Sequence, residues 1–115
     1  MKIIDLYIVD IKKALIKSCL EGDAKLFSPY LKSPKVKVVD RWENKLMYYH
    51  YFDHMLKSVH RNNTNKLFLK VETPVWEKDK DVVYYEFYDS IHKQSRLSIL
   101  VKEDGDSITI DVLPF

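Results

Sequence analysis

Residues 97–113, LSILVKEDGDSITIDVL, decide the fold. In the first half Leu97, Ile99 and Val101 alternate with Ser98, Leu100 and Lys102; in the second, Ile108, Ile110 and Val112 alternate with Thr109, Asp111 and Leu113. A period of two sends successive side chains to opposite faces of a strand, so each half reads as a strand with one face for burial. The Glu-Asp-Gly-Asp segment between them supplies turn chemistry, and the whole reads as an antiparallel hairpin.

The same period extends upstream. Val83, Tyr85 and Phe87 alternate with Tyr84, Glu86 and Tyr88, and Leu67, Leu69 and Val71 with Phe68, Lys70 and Glu72. Four strands in succession, joined by EKDKD, DSIHKQS and EDGD, make an antiparallel meander. Pro74 falls inside the first of them and predicts a bend, because proline is tolerated in a strand only at an edge or a bulge.

Before Asn65 the apolar spacing changes. Ile4, Ile8, Ile11, Leu15 and Cys19 recur at steps of three and four, the pattern of a helix with one buried stripe. Glu21-Gly22-Asp23 predicts a stop and a restart, with glycine taking the left-handed position and aspartate capping the next helix. That short second helix is expected over 23–31, made irregular by Pro29, and KVKVVDRW (35–42) reads as a strand.

A third helix is expected over 43–59. On a helical wheel Tyr48, Phe52, Met55 and Val59 share a narrow arc flanked by Tyr51 and Leu56, while His50 and His54 lie roughly opposite with Asp53 and Lys57. Helices preceding a run of antiparallel strands give a single α+β domain over residues 1–115, with three helices packed on a strongly curved, mainly antiparallel sheet.

Composition narrows the function classes. The 115 residues carry 46% hydrophobic and 31% charged side chains, a globular balance rather than a disordered one. A net charge of +2 from 19 basic and 17 acidic residues, interspersed along the chain, gives no field that favours nucleic acid. Asp5, Asp10, Lys12 and Lys13 interrupt the first apolar stretch, so neither an export signal nor a membrane anchor is expected there. The one cysteine, Cys19, cannot form an internal disulfide and falls in register with apolar neighbours; a small buried hydrophobe in a cytoplasmic protein is the expectation.

The order of elements, with EGDAKLFSPYL leading into a short helix and LVKEDGDSITIDVLPF closing the chain, resembles the nuclear transport factor 2-like superfamily. That group of curved-sheet cones contains ketosteroid isomerases, scytalone dehydratases and polyketide cyclases. The resemblance implies a cone with a pocket between helices and sheet, and a homodimer formed through the outer sheet face. It implies no reaction, since one fold hosts catalysts and binders alike.

Asp40 stands near the place where the isomerases carry their proton-shuttling aspartate. A carboxylate at an apolar pocket mouth would have its pKa raised by desolvation, as a general base requires. The isomerases' two oxyanion donors have no counterpart, since the corresponding regions read KKALIKSC and SRLSILVK. Histidines at i and i+4 can hold a metal, but His50 and His54 share their face with Lys57 and lack further ligands, so no metal or other cofactor is expected.

The expected function is therefore binding of a small apolar ligand in the cone, by Tyr30, Trp42, Tyr48, Phe52, Tyr85 and Phe87. A small isomerase, dehydratase or cyclase using Asp40 is the alternative, and an interaction or immunity factor using the outer sheet face is a third. Phe68, Tyr84 and Tyr88 fall on that outer face and mark the expected homodimer interface.

Overall fold

The structure is a computed structural model that describes residues 8–39, 44–61, 66–72, 82–91 and 95–113. Over the described residues it is an α+β arrangement of three helices and a five-stranded mixed sheet. The elements in chain order are α1 (Ile8–Glu21), a 3₁₀ turn (Ala24–Leu26), α2 (Ser28–Leu31), β1 (Val36–Val38), α3 (Lys45–Arg61), β2 (Phe68–Glu72), β3 (Val82–Tyr88), β4 (Leu97–Asp104) and β5 (Ser107–Leu113).

The sheet order is β1-β5-β4-β3-β2. β2 to β5 form the antiparallel meander that the alternation predicts, with Leu69 opposite Phe87, Tyr85 opposite Ile99 and Val101 opposite Ile110. Gly105, at φ +64°, makes the tight turn between β4 and β5. β1 runs parallel to β5, placing Val36 beside Ile108 and Val38 beside Ile110. A strand separated from its partner by a helix and three strands can join a sheet in parallel, which no short turn permits.

One register set of the sheet is buried: Tyr85, Phe87, Leu97, Ile99, Val101, Ile108, Ile110 and Val112. It belongs to the same core as Ile11, Leu15 and Cys19 of α1 and Tyr48, Phe52, Leu56 and Val59 of α3. Tyr48 stacks on Phe52 at 5.8 Å between ring centroids, and Phe27 meets Phe52 edge-on at 6.1 Å, both within the range that aromatic pairs prefer.

The end of α1 shows why residues 21–23 read as they do. Gly22 takes φ +71°, and the Asp23 amide folds back to donate to the Ser18 carbonyl at 3.0 Å, a Schellman wrap. The Asp23 carboxylate then accepts from the Lys25 amide and caps the 3₁₀ turn. The second helix is shorter than the expected 23–31: a 3₁₀ turn comes first, and four α-helical residues come after it with Pro29 in the first turn, where its missing N–H costs nothing. The first strand is also shorter, ending at Val38. Pro74 and its expected bend lie outside the described residues.

Candidate functional site

A cleft of about 380 Å³ opens between α2 and the first turns of α3. Ser28, Leu31 and Lys32 form one wall, and Lys45, Leu46 and Tyr49 the other. Leu46 and Tyr49 are three apart, so they share the side of the helix next to the arc that Tyr48 and Phe52 bury. Leu46 is 64% exposed, which leaves an apolar lip at the opening.

Two local devices hold the cleft. Asn44 caps α3 by accepting from the Met47 amide at 2.8 Å, which fixes where Lys45 and Leu46 start. Lys45 then reaches across and donates from Nζ to the Ser33 carbonyl at 2.8 Å. That carbonyl also receives the Val36 amide, so the turn after α2, the start of β1 and the start of α3 meet at one oxygen.

Two lysines line the cleft, and two carboxylates, Asp53 and Asp23, act on Tyr49 in its wall. Partial burial lowers the Lys45 pKa below the ordinary 10.5, because desolvation disfavours the charged amine. Among the described residues, Lys32 and Lys45 form no ion pair with any carboxylate. The phenol of Tyr49 stays protonated, its pKa raised by burial first and by Asp53 and Asp23 next.

A second groove of about 350 Å³ runs beside α1, lined by Asp10, Lys13, Ala14, Lys17, Leu26 and Tyr30. It is a shallow groove with a charged rim. Tyr30 of the expected ligand site is found here, half-buried and packed against the core that holds Tyr48, Phe52, Tyr85 and Phe87.

The structure places those other rings in the core. Tyr48, Phe52 and Phe87 have no exposed surface, and Tyr85 retains 5%. Trp42 and Asp40 lie outside the described residues. Of the expected interface residues, Phe68 is 50% exposed and stacks on the half-exposed Tyr88 at 6.1 Å, while Tyr84 is half-exposed on the same register set.

His50 and His54 lie on the exposed side of α3, and Lys57 there pairs with Asp53 at 3.0 Å. His60 sits 2.9 Å from the Cys19 carbonyl through Nε2. Among the described residues no group of three or more His, Cys, Asp or Glu side chains is arranged to hold a metal ion. Cys19 is fully buried, and burial raises its thiol pKa far above the ordinary 9.0.

Lys32, Lys45, Leu46 and Tyr49 were not among the residues the sequence pointed to. One signal was present: Leu46 and Tyr49 are an apolar pair at helical spacing displaced from the core arc. Among the described residues no helix is long and apolar enough to cross a membrane. Compared with family models, with curated proteins and with solved structures, the chain matches none.

Proposed function

We propose that this chain is a small-molecule-binding domain whose binding place is the cleft between α2 and α3. The observation that carries the reading is the combination of a 380 Å³ apolar volume with an exposed leucine at its mouth. Ligand sites have volumes from roughly 300 Å³ upward and apolar walls with a few placed polar groups. The order helix, helix, strand, helix and meander also supports the cone of the nuclear transport factor 2-like superfamily, with the helices over the concave side of the sheet. A cytoplasmic home fits the buried free thiol of Cys19.

The test is a titration with octanol monitored by NMR of the Leu31 and Leu46 methyls and the Tyr49 ring. Saturable shifts confined to these groups are the expected result. Shifts scattered over the surface, or none, would overturn the cleft as a binding place.

A homodimer is supported by a separate observation. β2 is an edge of the sheet with a neighbour on one side among the described residues, and it exposes Phe68 and, at 55%, Val71. An antiparallel pairing of two β2 strands about Val71 would set Lys70 against the partner's Glu72 and Glu72 against the partner's Lys70. Cross-strand pairs of opposite charge stabilise, and the unpaired backbone groups of an edge strand are a template for a further strand. Light scattering at micromolar concentration should give twice the chain mass, and Val71→Lys should return it to one; single-chain mass for the unaltered protein removes the dimer.

A further inference from the structure

We infer that the α2–α3 cleft takes an apolar molecule bearing a carboxylate, with Lys32 and Lys45 receiving the acid and Leu31, Leu46 and Tyr49 the chain or ring. The inference rests on the cleft being the binding place and adds the chemical class of the occupant. Three observations lead to it.

The first is uncompensated charge. Lys12, Lys17 and Lys57 each have a carboxylate within reach, at 2.8, 4.0 and 3.0 Å. Lys32 and Lys45, which share the cleft, have none among the described residues. A partly desolvated ammonium whose described partner is a neutral carbonyl gains from an anion, because the anion adds a coulombic attraction that the carbonyl lacks and partial exclusion of water screens it less.

The second is geometry. Lys45 is held in place by its bond to the Ser33 carbonyl and keeps further N–H donors for a ligand. Lys32 is the C-terminal cap residue of α2 on the facing wall. A carboxylate has two oxygens, one for each amine.

The third is the field. The cleft opens at the amino-terminal turn of α3, a helix of 17 residues, whose dipole adds positive potential there. No acidic side chain lines the cleft among the described residues. The apolar remainder of the ligand would lie against Leu31 and Leu46 and the face of Tyr49.

The experiment compares octanoate with octanol by calorimetric titration on the full chain at neutral pH and low salt. Octanoate should bind at least about tenfold tighter, a preference of about 1.4 kcal/mol, and the margin should shrink as salt rises. Lys45→Met removes one of the two amines and the bond to the Ser33 carbonyl that holds the cleft, so octanoate affinity should fall further than octanol affinity does and the margin between them should narrow. Should Lys45→Met not fold, Lys32→Met on the exposed wall must narrow the margin of octanoate over octanol severalfold. Octanol bound as tightly as octanoate overturns the carboxylate and keeps the cleft; binding of neither overturns both.

Discussion

The ring of His60 lies over Gly22 so closely that a Cβ there would stand 2.7 Å from its Cγ and Cδ2. The same ring brings Nε2 to 2.9 Å from the Cys19 carbonyl, one of the last acceptors of α1. A carbonyl can only accept, so Nε2 carries the proton in this contact. The end of α3 therefore seals the end of α1, and Gly22 is needed twice: for its φ of +71° and for the space the imidazole takes.

Gly22→Ala should destabilise the fold by roughly 1–3 kcal/mol from backbone strain, with the ring contact adding to it. Urea unfolding read by circular dichroism measures the loss. Placed in a His60→Ala background, the same substitution should lose only the strain. Equal losses in both would mean that the ring gives way freely.

Cys19 should be silent in the native state. Its thiol is fully buried and its pKa is raised, so almost no thiolate exists at neutral pH. Ellman's reagent should label no cysteine in native protein over minutes and one per chain in guanidinium. Fast labelling without denaturant would mean that α1 leaves the core readily.

The rings of α3 act by filling space. Phe52 has no exposed surface and touches both Tyr48 and Phe27. Phe52→Ala should cost about 3–5 kcal/mol, read from the urea midpoint. A loss below about 1 kcal/mol would place the ring beside a space already open, as a ligand pocket in the cone requires.

How far the fold was legible depends on the range of each signal. Periods are local, so the stripe of α3 and the alternation of Tyr85, Ile99 and Ile110 read directly into a buried helix face and one register set of a meander. Gly22 and Asp23 were legible because caps are decided within a few residues. The parallel pairing of Val36 with Ile108 was not, since nothing in three residues of strand names a partner 72 positions away. The cleft was missed for the same reason. Lys32 and Lys45 belong to different elements, and neither shows by itself that it will meet the other across an apolar gap.

Alkaline pH should weaken the fold at the junction of α1 and the sheet. Lys12 donates to Glu103 Oε2 at 2.8 Å, and this bond raises its pKa above the ordinary 10.5. Tyr85 is raised above the ordinary 10.0 by burial first, with Lys12 lowering it and Glu103 raising it again. In both cases the folded chain keeps its proton to higher pH than the unfolded chain does. The stabilisation is therefore complete below those ordinary values and is lost as pH rises through the folded ones. Glu103 is 46% exposed, so the ion pair contributes only about 0.2–1 kcal/mol. The rest of the alkaline decline is shared by Tyr85 and by the fully buried Cys19, whose thiol is also held well above its ordinary value. Tyr85→Phe keeps the ring and removes the ionising hydroxyl, and its urea midpoint should fall less steeply above about pH 10 than that of the unaltered chain. Parallel declines would assign the loss to Cys19 and the remaining tyrosines and lysines, and would mean that the Tyr85 phenol titrates alike in the folded and unfolded chain.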